Sequence, residues 1–402
     1  MRPPDLGPDA FAFRQERDEA ERARAPSTIA TAKPARKVKR VIDPNDSRPK
    51  IRLCANDIER IVNECESALI KANRGLYQRH GSIVFVDSVP ALAAHGVKVQ
   101  VQRISERGEQ ALQEDFSSAA CFEKFDARAD DLVLTDPPMS IVRTLLARRG
   151  RLRLPILSGV INTPTMRADG SILDTPGYDT GTGLLFDPLG VMFPAIKGSP
   201  SRDDALAALG KLQDIIRWFP FVEPQHRSVA LSAFLTACIR RSLPSAPLHG
   251  YTAPVPGSGK SKLVDIASVI ATGVEAPVTA PGKDEEELEK RLVASLLAAD
   301  PIITIDNCAR PIGGDLLCQM MTQPLVRPRI LGKSEAPTCS TGSLCAATGN
   351  NLVLAGDLIR RSIISRLDPK VERPELLVFD FDPSGPKDAR YFRRLARKMV
   401  EF

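Results

Sequence analysis

The sequence predicts an α/β protein: a parallel sheet flanked by helices, preceded by a smaller mixed α/β domain and a disordered tail. Three observations carry this. Beyond residue 241, short apolar runs alternate with helical patterns, an order that needs crossover connections and therefore parallel strands. Between 51 and 200, strand-like and helix-like patterns mix without that regularity, and from 158 onward turn residues dominate. The first 50 residues hold twelve Lys/Arg and eight Asp/Glu but few large apolar groups, too little apolar surface to offset the cost of ordering. A chain of 402 residues also exceeds one ordinary core. The expected boundaries are 1–50 for a disordered basic tail, 51–200 for the accessory α/β domain, 201–370 for the sheet-bearing core, and 371–402 for a C-terminal basic helix.

The elements follow in order. KPARKVKR at 33–40 concentrates positive charge in the tail and reads as a solvated linker, with a loose phosphate-backbone contact as the sharper alternative. Residues 52–71 place Ile58, Ile61, Val62, Cys65, Leu69 and Ile70 at helical spacing. LYQRHGSIVFVDS reads as two strands about a His-Gly turn, and VKVQVQRI at 97–104 as another strand. RTLLARRGRLRLPIL at 143–157 predicts a helix, a glycine stop and a strand. RDDALAALGKLQDIIRWF at 202–219 is an amphipathic helix whose first turn carries Asp203 and Asp204, favourable at the positive end of the helix dipole. QHRSVALSAFLTACIRR at 225–241 is apolar over most of its surface and predicts a buried helix.

YTAPVPGSGKSKL, 251–263, then places two glycines, a lysine and a serine between a strand-like run and a helix. The phosphate-loop pattern G-x-x-x-x-G-K-[ST] is met at Gly259, Lys260 and Ser261, with Pro254 standing in for the first glycine. Gly257 and Gly259 let backbone N–H groups curl around an oxyanion without a Cβ clash. Lys260 can reach the β- and γ-phosphates of ATP, and Ser261 can hold Mg2+. The helix that follows adds a favourable dipole. The predicted nucleotide-binding stretch is therefore Pro256, Gly257, Ser258, Gly259, Lys260, Ser261 and Lys262. A Gly-Ser turn before an ordinary helix would also give GSGKS, but it would not require the flanking strand-loop-helix order.

A phosphate loop calls for further parts downstream. DPIITIDN at 300–307 is an apolar strand leading into Asp306, the carboxylate expected beside Ser261 on the metal; one helix, 284–299, separates it from the loop. LCAATGNN at 344–351 is a short strand ending in Asn350, which could place the attacking water, although Gly-Asn-Asn is equally good turn chemistry. GDLIRRSIISRLDP at 356–369 offers Arg360, Arg361 and Arg366 as guanidiniums for the developing phosphoryl charge.

Taken in order, PVPGSGKS, DEEELEKRL, IITIDN, LCAATGNN and DLIRRSIISRLDP resemble the core of AAA+ P-loop ATPases. They resemble more closely the superfamily 3-like helicase and primase-helicase ATPases of phage, plasmid and prophage replication proteins. The resemblance covers about 200–370 and extends in part through LPILSGVINTPTMRADGSILDTPGYD. It implies an AAA+-like P-loop fold for 201–370, a homo-oligomeric, hexameric ring, and translocation on DNA driven by ATP hydrolysis. In such a ring Lys260, Asp306 and Asn350 would be catalytic, and Arg361 would act on a neighbour's ATP. The stretch 327–345 would be a hairpin directed into the pore, with Arg329 and Lys333 meeting the phosphates of single-stranded DNA.

The departures matter. Asn307 stands where most AAA+ motors carry a glutamate acting on the lytic water, and asparagine cannot accept a proton at neutral pH. Glu285, Glu286 and Glu287 are the alternative carboxylates, unless they form only a solvated face. Two other functions therefore stand beside the motor: a nucleotide-dependent switch or scaffold that hydrolyses weakly, and an AAA+ remodeller of proteins. No primase carboxylate triad is read in 51–200. Eight scattered cysteines without CxxC, and four unpaired histidines, predict reduced thiols and no zinc. No apolar run reaches membrane-spanning length and the first ten residues lack an apolar signal core, so the expected location is the cytoplasm. The net charge of +6 permits a polyanion partner without demanding one.

Overall fold

The strand-helix alternation after residue 241 becomes a five-stranded, all-parallel sheet in the computed structural model, which describes residues 46–92, 98–329, 336–371 and 374. The chain forms two units, Met1–Arg48 and Pro49–Phe402. Of the first, residues 46–48 are described, with Arg48 paired to Asp46 at 2.6 Å. The expected tail otherwise lies outside the described residues. Its last position does not belong to it: Lys50 opens a strand.

The second unit begins with β1 (Lys50–Leu53), α1 (Ile58–Ala72), β2 (Leu76–Arg79), β3 (Ser82–Leu92), β4 (Lys98–Glu106), α2 (Glu109–Ala119), β5 (Cys121–Asp126), β6 (Asp131–Thr135) and α3 (Met139–Leu146). β1 runs parallel to β5, and β5 antiparallel to β6. The apolar stripes of α1, α2 and α3 close over one core that includes Ile61, Leu69, Leu112, Phe116, Phe122 and Leu145. β2, β3 and β4 form an antiparallel meander, turning at His80 and Gly81, both with positive φ. Residues 151–157 were expected as a strand but make only one parallel bridge, Ile156 to Gln78. Pro155 has no N–H to donate, so a ladder cannot continue through it. Small strands follow: β7 (Gly159–Ile161), β8 (Thr165–Met166), β9 (Ile172–Leu173), β10 (Gly177–Asp179) and β11 (Leu184–Phe186).

α4 (Arg202–Ile216) starts from a capping box in which the Ser201 hydroxyl accepts from the Asp204 N–H and the Asp204 carboxylate accepts from the Ser201 N–H. It ends three residues earlier than its sequence pattern, because Pro220 forces the preceding segment out of helix. α5 (Pro224–Ile239) leads through a 3-10 turn, Arg240–Ser242, to β12 (Leu248–Ala253) and α6 (Lys260–Thr272). Then come β13 (Val278–Thr279), α7 (Glu285–Ala298), β14 (Ile302–Ile305), α8 (Asp315–Met320), β15 (Leu325–Val326), β16 (Cys339–Ser340), β17 (Leu344–Asn350), a 3-10 turn at Gly356–Arg361, and β18 (Ser362–Arg366).

The parallel strands lie in the order β13-β14-β17-β12-β18. Alternate residues of β14 and β17 face opposite layers. Ile303, Ile305, Cys345 and Ala347 pack with Leu288, Leu292 and Leu296 of α7 and with α8. Ile302, Leu344 and Ala346 pack with Phe234 of α5 and with Leu263 and Ile266 of α6. Burial on both faces is why these strands read as unbroken apolar runs. No described helix is long and apolar enough to cross a membrane.

Candidate functional site

In open α/β sheets, ligands bind outside the carboxyl ends of the strands, and at that edge the chain gathers its polar residues. β12 ends at Ala253, level with Asn350 of β17; one strand over, Ile305 is level with Ala347. The loop 254–259, Asp306 and Asn350 therefore leave the sheet side by side.

Gly257 and Gly259 have φ of 72° and 90°, conformations that glycine adopts without penalty. At Gly259 a Cβ would also sit 2.8 Å from the Phe219 ring. Gly259 is the N-cap of α6 and supplies no side-chain cap, whereas Ser201 caps α4 and Asp284 caps α7. The first amides of α6 thus have no side-chain acceptor, as is also the case for α1, α2, α3, α5 and α8.

Five of the residues singled out from the sequence come together. Lys260 is buried, and its Nζ donates to Asn350 Oδ1 at 2.8 Å, to Val255 O at 3.0 Å and to Ser258 Oγ at 3.0 Å. Burial lowers its pKa from the ordinary lysine value, and the Asp306 charge opposes that shift. Ser261 Oγ donates to Asp306 Oδ1 at 2.8 Å. Ser258 is buried and donates to Val255 O at 2.7 Å, which fixes the loop from inside. Pro256 and Gly257 stand exposed at the loop's tip.

Sequence reading missed Thr348. Its hydroxyl accepts the Asn307 N–H at 3.1 Å and donates in a short hydrogen bond to Asp306 Oδ1. A hydroxyl lone pair takes the Asn307 N–H, and the hydroxyl's one proton goes to the carboxylate, which only accepts. Asp306 Oδ1 thus takes two hydroxyls, and among the described residues Oδ2 takes no hydrogen bond. Asp265 was missed too. It lies one turn after Ser261 on α6, and burial raises its pKa against the opposing influence of Lys262. The four-residue spacing from Ser261 was the available signal.

Other residues sit elsewhere. Lys262 pairs with Asp265, three residues on in α6, at 3.0 Å and with Glu275, which follows the end of α6, at 3.6 Å. Arg361 precedes β18, whose first residue is level with Leu248 at the start of β12. Five residues of strand, about 16 Å at 3.3 Å each, separate that level from the loop. Its guanidinium donates to Cys318 O at 2.7 Å and to Asp357 at 2.5 Å. Arg366, at the other end of β18, is level with Thr252 beside the loop. Glu286 pairs with Lys290 and Glu287 with Arg291 along α7, and Glu285 lies against Gly314. Asn307 is exposed with φ of 57°, a left-handed conformation that asparagine tolerates better than glutamate. Arg329 is exposed beyond β15, which pairs antiparallel with β16, and Lys333 lies outside the described residues.

No family model and no curated protein matches the chain. Structural similarity extends to an apo structure of the NrS-1 C-terminal region, residues 305–718, at TM-score 0.40 and 10% identity over 84% of this chain. A second apo structure of that region gives TM-score 0.37 and 11% identity over 72% of this chain. The chain spans 66% of the length of each.

Proposed function

We propose that the chain is an ATP-binding and ATP-hydrolysing, helicase-like DNA motor of the AAA+ type that works as a homo-oligomeric ring in replication of a mobile genetic element. The observation that carries this is the convergence of Lys260, Ser261, Asp306 and Asn350 at the carboxyl edge of a parallel sheet, beside a helix N-terminus without a side-chain cap. The residues fit a triphosphate and a hard divalent cation. The glycines give the loop room for an anion, and a serine hydroxyl and a carboxylate with one unbonded oxygen suit Mg2+. Bound Mg2+ supplies positive charge against the charge that develops on the transferred phosphoryl group.

In this reading Lys260 exchanges its bond to Asn350 for phosphate oxygens, which frees the Asn350 amide to orient water. Thr348 and Ser261 hold the Asp306 carboxylate in place. Arg361 belongs to the ring contact, where it reaches a neighbouring chain's nucleotide, and Arg329 and Lys333 belong to the DNA path. A second reading, a nucleotide-dependent switch with weak hydrolysis, is favoured by Asn307 and by the engagement of Glu286 and Glu287 along their own helix. ATPase turnover with and without single-stranded DNA, beside Lys260→Ala, separates the two. Stimulation by DNA that disappears in the variant supports the motor; tight ATP binding without turnover supports the switch.

A further inference from the structure

Asp265 has no task in the nucleotide reading, yet the fold brings it to the metal position. α6 carries polar residues at 261, 265, 268 and 272, a spacing that puts all four on one face of the helix. Three of them have local partners. Ser261 donates to Asp306 Oδ1 at 2.8 Å. Ser268 and Thr272 are buried, and Thr272 Oγ1 donates to Ser268 O at 2.8 Å and accepts from Val274 N at 3.3 Å. Asp265 differs. Its Oδ2 takes Lys262 at 3.0 Å, and among the described residues its Oδ1 takes no hydrogen bond. A pair between neighbours on a helix surface needs no burial, but the Asp265 side chain keeps 17% of its exposure against 42% for Lys262.

The strand beside this helix face is polar too. Ile302 packs with Leu263 and Ile266 of α6, so Thr304 and Asp306, two and four residues on, turn to the same side of β14. Ser261 meets Asp306 at the carboxyl end of that strand. One turn of helix advances about 5.4 Å and two strand residues about 6.6 Å, which brings Asp265 to the level of Thr304. Thr304 is 2% exposed, and its Oγ1 has no hydrogen-bond partner among the described residues. A buried hydroxyl left without a partner is costly, and ordered water is the usual remedy. The Asp265 side chain tilts toward the N-terminus of α6, over the turn that holds Ser261. Burial raises its pKa against the pull of Lys262, and the charges of Glu275 and Asp306 add to the rise.

We infer that Asp265 is a positioning residue for the divalent cation of the nucleotide site: it accepts hydrogen bonds from water held on that cation, and the Thr304 hydroxyl joins the same water layer. The inference rests on the nucleotide reading. A cation of the Mg2+ class keeps several of its waters when bound, and acceptors that orient an inner shell raise metal affinity. The test is calorimetry of AMP-PNP, an ATP analogue that resists hydrolysis, binding to the full chain over a range of Mg2+ concentrations and in EDTA, with a thermal melt of each protein. Asp265→Asn keeps the shape and should raise the Mg2+ concentration that half-saturates nucleotide binding about 10- to 100-fold, with no weakening in EDTA. Thr304→Val should raise it about 2- to 10-fold, the effect of one neutral hydrogen bond. Glu275→Gln removes the exposed carboxylate on the same lysine and should keep the wild-type requirement.

An unchanged Mg2+ requirement in Asp265→Asn, where the wild type binds the Mg2+–nucleotide complex, overturns the inference and leaves the nucleotide reading standing. Equal weakening with and without Mg2+ overturns it as well, since Asp265 would then only support the helix. An equal rise in Glu275→Gln overturns it in favour of unspecific negative charge. If the melt shows Asp265→Asn unfolded, Thr304→Val decides, and a wild-type Mg2+ requirement in that variant overturns the inference. Absence of Mg2+-dependent binding by the wild type overturns the nucleotide reading and this inference together.

Discussion

Replacing Thr348 with valine keeps the shape of a fully buried side chain and removes one hydroxyl. That hydroxyl serves two partners: it accepts the Asn307 N–H at 3.1 Å and donates to Asp306 Oδ1. A hydrogen bond to an ionised carboxylate contributes about 1.5–3 kcal/mol. The exposed Asn307 backbone can turn to water, so its loss adds little. Thr348→Val should therefore cost about 2 kcal/mol in urea denaturation. The larger effect falls on the metal site. With Ser261 as its one remaining partner on Oδ1, Asp306 loses its orientation, and the Mg2+ concentration that half-saturates ATP turnover should rise about 10- to 100-fold. Thr348→Ser keeps the hydroxyl and should restore the Mg2+ requirement while leaving a small packing loss. A valine variant with wild-type Mg2+ dependence would refute the reasoning, since Thr348 would then be an ordinary buried strand residue.

Three further outcomes follow from the geometry. Gly259→Ala should destabilise the chain by at least about 1–2 kcal/mol, because φ of 90° is unfavourable to a side chain and the new Cβ meets Phe219. Phe219→Leu in that background should recover part of the loss in a thermal melt, and no loss at all would contradict the loop's conformation. His249 is fully buried, with Nε2 3.1 Å from Ser232 Oγ, and burial lowers its pKa from 6.5 to about 4. The unfolded chain thus binds a proton that the folded chain refuses. The associated stability is present above pH 6.5 and lost as pH falls toward 4, about 2 kcal/mol between pH 7 and pH 5; urea titrations of His249→Gln should show that much less pH dependence. Arg361→Ala should lower ATP turnover with ATP affinity unchanged, and unchanged turnover would remove Arg361 from the ring contact.

What the sequence made legible was whatever the chemistry forces onto strand ends. Gly259, Lys260 and Ser261 must sit in a tight turn before a helix, and Asp306 and Asn350 must close apolar runs; both constraints leave local patterns. Thr348 leaves none. A threonine inside a strand is ordinary, and its role exists only because β14 and β17 are neighbours in register. The distance of Arg361 from the loop was hidden for the same reason: parallel pairing with β12 sets which end of β18 meets the site, and that end carries Arg366. Lys262 was grouped with the loop by adjacency, but a helix turns successive residues by about 100°, which carries it toward Asp265. Asn307 read as a missing base, and the backbone adds a second reason, since a left-handed residue after Asp306 suits asparagine. The expected C-terminal helix and the tip of the 327–345 hairpin lie outside the described residues.

Equilibrium binding of Mg-ATP to the wild-type chain and to Lys260→Ala, followed by calorimetry, tests the central claim most directly. Saturable binding by the wild type that weakens by at least about ten-fold in the variant, the loss expected when a charge-assisted contact of about 1.4 kcal/mol or more disappears, is the predicted result. Equal affinity in the two proteins, or no binding to either, would contradict a triphosphate held against residues 257–261.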